Sequence, residues 1–413
     1  ITANGTISDI RIFPADADND TSGTSGNILI QSAQLESGLV STSYITSGAT
    51  TGTAGILEDT PRFNYSNGAS CPSLLLEGSR TNLFASSEYF NATTWTKTRL
   101  TFDNNATTSP EGLSNASLMI PSTDLNTHFF YDSVPTTINN DYTFSLFVKA
   151  TAQYSQLSIL HSGSAGVFNG GESIFNASNG TFISVAASTT STVENFPNGW
   201  YRLTLTQASQ ATANGLIIIR SYNGSTTFFA GNGTDGIYIW GAQIEGSYAT
   251  SYIPNHSGTG TITRAKDYAY FDSASSIIGQ NEGTIYFNGK DTSKESQFLL
   301  INRSTTNSFC IYSAGNQVRF FVFNNTVVHS YNTGISSIDE FKAVIKYDNS
   351  AVKYFINGSL VQTYVAWDLA IPLVDLRLND SAYITDPGKS KVEQVLLFNT
   401  ALSDADCITL TTI

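Results

Sequence analysis

A chain of 413 residues with a formal charge of −13 and an isoelectric point near 4.6 is too long for one ordinary sandwich. Its acidity disfavours nucleic acid as a partner, because phosphates ask for basic patches and no run of Lys or Arg supplies one. Charged residues make up 13%, about half the usual ~25%, and Ser, Thr, Asn and Gly carry the polarity instead, which suits short strands and tight turns.

Cysteine usage points the same way: Cys71, Cys310 and Cys407 are widely spaced and odd in number, which argues against a disulfide framework or a compact zinc motif. No apolar run is long enough for a membrane helix, so no membrane insertion is expected. Ile1 does not read as a translation start, and the chain is expected to be part of something longer.

In chain order, the first feature is the run Asp16, Asp18 and Asp20, three acids at alternate positions that could offer oxygen ligands to a structural calcium. An EF-hand loop would continue with Gly and end in Glu, whereas Thr21 and Asn27 stand there, so a solvated acidic loop is the plain alternative. No other cofactor is called for. Next comes Ile28–Glu36 with Ser43-Tyr44-Ile45, which returns as Ile237–Glu245 with Ser251-Tyr252-Ile253. Ala33, Gln34 and Glu36 match Ala242, Gln243 and Glu245, and Thr2–Gly5 recurs as Thr212–Gly215. One ending therefore occurs twice. Residues 1–64 are expected to be the last strands of a truncated sandwich module, and residues 65–255 a complete copy.

Inside that copy, Tyr142, Phe144, Leu146 and Val148 alternate with Thr143, Ser145 and Lys149, and Tyr201, Leu203 and Leu205 alternate with Arg202, Thr204 and Thr206. Gly215–Ile219 predicts a strand buried on both faces. Asn-Gly pairs at 179–180, 198–199 and 223–224 mark turns. Residues 256–263 predict a linker. Residues 264–413 predict a further sandwich, with a hairpin turning at Asn357-Gly358 and a short cap at Ser403–Ala405. The fold class is all-β, in tandem antiparallel β-sandwiches, a jelly-roll type followed by a concanavalin A-like one.

Leu76-Glu-Gly-Ser-Arg-Thr-Asn-Leu-Phe84, then Trp95, Gly199-Trp-Tyr-Arg202 and Ile239-Trp-Gly-Ala-Gln-Ile-Glu245, resembles a pattern of phage tail-fibre and other virion-surface proteins, in a module similar to jelly-roll carbohydrate-binding modules. Val352–Val361 and Leu397–Ala405 resemble concanavalin A-like, laminin-G-type sandwiches. Together these resemblances imply non-catalytic adhesion to bacterial surface glycans from a virion or extracellular surface, beside other virion proteins, in a homo-oligomer taken to be a trimer. A purely structural spacer is the alternative. A depolymerase spike would instead show parallel β-helix repeats, which are missing from the sequence.

Catalytic motifs are scarce. Gly231–Gly236 has the spacing G-x-G-x-x-G, but the dinucleotide fingerprint needs a helix after it, and a strand follows. The four histidines form no H-E-x-x-H, and no G-x-S-x-G occurs. Glu36 and Glu245 occupy the same strand position in separate copies and are expected to secure strand ends. For sugar contact, the candidates are aromatics outside the alternation, whose flat faces cover sugar C–H groups: Trp95, Tyr89 and Tyr222. Trp200 and Trp240 fall in strand patterns and are expected in the core.

Overall fold

The alternating runs are antiparallel strands in the computed structural model, which describes residues 33–35, 61–64, 72–163, 166–291, 296–302, 307–324, 327–365, 372–380 and 388–413. Two units result: residues 1–55 with 82–262, and residues 56–81 with 263–413. Strands β1 (Phe63–Asn64) and β2 (Ser73–Glu77) come first among the described strands but pair into the second unit, where Leu74 stands opposite Val392. The sequence repeat starts its complete copy near residue 65; strand pairing assigns residues up to Thr81 to the C-terminal unit.

Among the described residues, the first unit is a sandwich of two six-stranded sheets. Its strands are β3 (Thr96–Thr98), β4 (Leu100–Thr107), β5 (Ala116–Pro121), β6 (Phe129–Pro135), β7 (Asp141–Lys149), β8 (Gln156–Gly163), β9 (Glu172–Asn176), β10 (Thr181–Ser184), β11 (Thr189–Phe196), β12 (Trp200–Ala208), β13 (Asn214–Tyr222) and β14 (Ile237–Gly246). One sheet has the order β11-β12-β7-β14-β5-β4 and the other β10-β9-β8-β13-β6-β3. Phe144, Leu146 and Val148 from the first meet Phe130, Leu157, Ile159, Ile217 and Ile219 from the second in one buried core.

The Asn-Leu opening of this unit has a clear physical purpose. Asn82 is fully buried: its Oδ1 accepts from the amides of Phe84 and Ile244, and its Nδ2 donates to Ser87 Oγ and the Ile253 carbonyl. Residues 254–262, expected in large part to be linker, are docked in the same place, because buried Asn255 donates to the carbonyls of Phe84 and Gly260. Just beyond, the Lys97 ammonium lies among four carbonyl oxygens, those of Phe90 (3.4 Å), Asn91 (3.2 Å), Ala92 (3.0 Å) and Trp95 (3.1 Å). Glu245 accepts from Gln243 Nε2, the Thr250 amide and the Thr250 hydroxyl, and so holds the turn after β14, the strand-end role expected of it. Glu36 lies outside the described residues.

Both faces of the first sheet are covered. Opposite the main core, Trp200 and Trp240 pack with Ala116 and Phe147, and Arg202 bonds Ser145 and the Thr250 carbonyl, its guanidinium 5.4 Å from the Phe147 ring centre. The two tryptophans are thus core residues, as expected. The second sheet differs. Gly215–Ile219 was expected to be buried on both faces, yet only Gly215, Ile217 and Ile219 are buried, while Leu216 and Ile218 are half-buried on the outer face. The run is apolar on both sides because one side is core and the other is a surface.

The second unit adds β15 (Ala269–Phe271), β16 (Gly283–Asp291), β17 (Gln297–Ile301), β18 (Asn307–Ala314), β19 (Gln317–Asn324), β20 (Val327–Ser336), β21 (Phe341–Tyr347), β22 (Ala351–Ile356), β23 (Ser359–Val365), β24 (Leu376–Leu378) and β25 (Lys389–Phe398). The sheets are β1-β2-β25-β16-β21-β22-β23 and β15-β24-β17-β18-β19-β20. Phe287, Ile345 and Tyr354 of one and Phe298, Ile311 and Phe320 of the other share a core. The β22–β23 hairpin turns at Asn357 (φ 47°) and Gly358 (φ 78°), left-handed geometry that Asn and Gly accept most readily. The expected cap is longer than Ser403–Ala405: helix α1 spans Asp404–Thr411, with Ser403 as its N-cap. Cys310 and Cys407 are free and buried.

One buried carboxylate ties this unit together. Glu77 meets Arg62 (2.8 Å), Lys389 (3.5 Å) and Arg264 in charged contacts, and its amide donates to Asp267. Burial alone would raise its pKa, but Lys389, Arg264 and Arg62 outweigh that and hold it well below the usual carboxylate range. A carboxyl depressed in the folded state lends stability above its unfolded value, and that stability is lost as the pH falls below about 4.5. Glu77→Gln is expected to cost about 3–5 kcal/mol in urea unfolding at pH 7, since it strands buried cations, and the deficit should shrink steadily in melts taken at decreasing acid pH.

Candidate functional site

Among the described residues, the half-buried outer face of the second sheet in the first unit gathers side chains suited to a ligand. On β6, Phe130 is buried in the core, so the period of two sends Phe129 and Tyr131 outward. Their rings lie nearly parallel, with centres 6.3 Å apart. Across the strand pair, Arg220 stands opposite Phe129 and Ile218 opposite Tyr131. One strand further, Ser158 is opposite Arg220, Leu160 opposite Ile218 and Gln156 opposite Tyr222. On β9, Glu172 takes a short hydrogen bond from Ser158 Oγ and lies 3.5 Å from Arg220 Nη1, with both charged side chains partly exposed. The result is a strip with aromatic and aliphatic surface at one end and an Arg–Glu–Ser group in the middle. Gln156 Oε1 is shielded and has no hydrogen-bond partner.

Two of the aromatics expected to touch sugar are placed differently from Tyr222. Trp95 is 1% exposed; its rings pack against Phe84, Phe90 and Phe130, and its Nε1 donates to the Ser86 carbonyl. It cannot cover a sugar. Its polar sequence neighbours misled because Thr93 and Thr96 are exposed while the indole between them turns inward, and the Trp95 carbonyl accepts from Lys97. Tyr89 is 43% exposed but sits on the loop before β3, outside this sheet. Tyr222 is half-buried at the end of β13 and belongs to the outer face. Asp16, Asp18 and Asp20 lie outside the described residues. Sequence reasoning missed Phe129, Tyr131, Arg220 and Glu172; the signal available was the parity of Phe129-Phe130-Tyr131, in which one ring must be core and its neighbours must not.

A second set of titratable groups is closed rather than open. Glu88, 2% exposed, accepts from Asn115 Nδ2 (2.9 Å) and the Tyr252 hydroxyl (2.9 Å), with His256 Nε2 3.6 Å away. The same Asn115 amide nitrogen donates to Glu111 at 2.5 Å, so one amide joins two carboxyls. Burial, followed by repulsion from Glu111, pushes the Glu88 pKa up to about 7, and burial lowers that of His256. These donors bind segments 84–92, 108–116 and 247–256 over the Trp200–Trp240 face. Glu88 has donors on both oxygens and is almost wholly enclosed, an arrangement that fits a clasp better than a catalytic acid.

No family model and no curated protein matches this chain. Among solved structures it is similar to the carbohydrate-binding module CBM40 of the Ruminococcus gnavus IT-sialidase, at 20% identity over 33% of this chain and 86% of that one, with a TM-score of 0.29. A leech intramolecular trans-sialidase complexed with 2,7-anhydro-Neu5Ac is similar at 19% identity over 34% of this chain and 24% of that one, TM-score 0.29. Botulinum neurotoxin type C, in a structure describing its interaction with two ganglioside molecules, is similar at 12% identity over 36% and 40%, TM-score 0.30. Likenesses of this size leave the ligand open.

The clasp makes a pH prediction. A carboxyl whose folded pKa is raised disfavours the folded chain once it ionises, so stability should fall as the pH climbs from 4.5 towards 7. Glu88→Gln is expected to remove that slope, leaving the variant on the order of 1–3 kcal/mol more stable at pH 8, relative to wild type, than at pH 4.5. Urea titrations at the two pH values check it.

Proposed function

We propose that this chain is a non-catalytic glycan-binding protein of a phage virion surface, a fibre or decoration component that attaches to bacterial host-surface sugars through the outer face of β6, β13, β8 and β9. The observation that carries this is the Phe129–Tyr131 pair beside Arg220, Glu172 and Ser158. Flat rings bury the C–H face of a pyranose, and the partly exposed Arg220 and Glu172 bond its hydroxyls, with the buried Ser158 hydroxyl orienting Glu172. Gln156 adds an acceptor whose missing partner costs about 1–3 kcal/mol, a deficit that a sugar hydroxyl would relieve once the amide turned outward.

The site is a shallow face, and a shallow face gives modest affinity. The proposed homo-oligomer, a trimer, would multiply it by presenting several copies to one cell surface. Within both units the strand pairs are antiparallel, the opposite of the parallel β-helix expected of a depolymerase spike. The proposed location is the virion exterior, and the proposed calcium site is Asp16, Asp18 and Asp20.

Tyr131→Ala and Arg220→Ala are each expected to weaken binding to the recognised glycan at least tenfold on an array of bacterial envelope oligosaccharides, with melting temperatures near wild type. Trp95→Ala should instead cost about 3–5 kcal/mol of stability. Failure of the wild-type chain to bind any envelope fraction would sink the adhesive role and leave the structural one. Chelation should lower the melting temperature if calcium is held; an unchanged melt would remove that site.

A further inference from the structure

The second unit repeats the side-chain arrangement of the first on a different strand pair. Tyr268 and Tyr270, two residues apart at the edge strand β15, have stacked rings with centres 5.4 Å apart and planes 18° apart. Arg377 of β24 stands opposite Tyr270, as Arg220 stands opposite Phe129, and its guanidinium carbon is 5.6 Å from the ring centre. A carboxylate again completes the group, since Arg377 Nη2 donates to Asp272 at 2.9 Å. The exposure is greater than in the first unit. Tyr268 and Tyr270 are 48% and 54% exposed.

We propose that the Tyr268–Tyr270–Arg377–Asp272 group is a second saccharide-binding platform, and that it takes uncharged sugars. The rings supply C–H contact, while Asp272 accepts and Arg377 donates toward hydroxyls. The charge preference follows from the surroundings. Arg377 already faces three carboxylates, Asp272 at 2.9 Å, Asp375 at 3.5 Å and Asp380 at 3.7 Å. The Lys266 ammonium, 5.5 Å from the Tyr268 ring centre, is the other cation of the group. Among the described residues the group has two cations and three carboxylates, a balance that disfavours an acidic sugar and accepts a neutral one. Its ligand class is shared with the proposed function, but none of its residues are, so either platform can hold without the other.

The test is affinity electrophoresis of the 413-residue chain through gels containing dextran, galactomannan or polygalacturonate, with the variants Tyr268→Ala/Tyr270→Ala, Tyr131→Ala/Arg220→Ala and the four-fold combination. Thermal melts confirm folding; the tyrosines are half-exposed, so their loss should move the melt little. The expected result is retardation by a neutral polysaccharide that survives Tyr131→Ala/Arg220→Ala, weakens at least threefold in Tyr268→Ala/Tyr270→Ala, and vanishes in the combination. Polygalacturonate should not compete for the tyrosine-dependent part. Retardation lost in Tyr131→Ala/Arg220→Ala alone would overturn the second platform and leave the first standing. No retardation by either neutral gel would overturn it as well, with the envelope array still deciding the first. A Tyr268→Ala/Tyr270→Ala chain that sediments as a smaller species would make the pair a contact between copies, and would also overturn it.

Discussion

The order of the outer face of the first unit's second sheet depends on a single buried ring. Phe130 is held edge-on against Trp95 at 5.2 Å and against Phe90 and Phe102 at 5.5 and 5.0 Å. Side chains on a strand alternate, and β6 cannot slip by one residue without pulling Phe130 out of that cluster. Core packing therefore decides that Phe129 and Tyr131 face outward, and it fixes their register against Arg220 and Ile218. The outer face inherits its order from the interior, so its rings are held in place before anything meets them.

Polar residues provide the second level of order. Asn82, Asn255, Glu245 and Arg202 are all buried, and each has several hydrogen bonds that join segments distant in the chain. Such groups are costly to bury unless satisfied, so they penalise alternative packings more than they stabilise the native one. A chain with only 13% charged residues uses its few ions sparingly. In the second unit, Glu77 draws in Arg62 and Arg264, which follow the first and second occurrences of the repeated ending. The two arginines, about two hundred residues apart, share one acceptor.

Much of this architecture was legible in the sequence. The period-two runs at Tyr142–Val148 and Tyr201–Leu205 named the strands, Asn357-Gly358 named its hairpin, and Trp200 and Trp240 were read as core. The outer face was not legible, for a physical reason. Leu216 and Ile218 look like core residues because they are apolar and half-buried, and composition cannot separate a half-buried outer face from a core. Trp95 failed in the opposite sense. Its neighbours Thr94 and Thr96 are polar, but the loop folds its carbonyls inward around Lys97, so the indole is drawn under the fold. Arg220 and Glu172 are nearly fifty residues apart, and only the pairing of β8 with both β9 and β13 brings them together.

The Lys97 cage has a consequence for how that loop stays closed. Four inward carbonyls make the kind of oxygen cluster that elsewhere recruits a metal ion from solution. Here the positive charge is covalently attached, three bonds' worth of donors on the end of a flexible stem. The loop that carries Glu88 and Trp95 is therefore closed by a ligand that never dissociates and is always present at one copy per site. Its geometry is indifferent to the ionic supply of the surrounding medium.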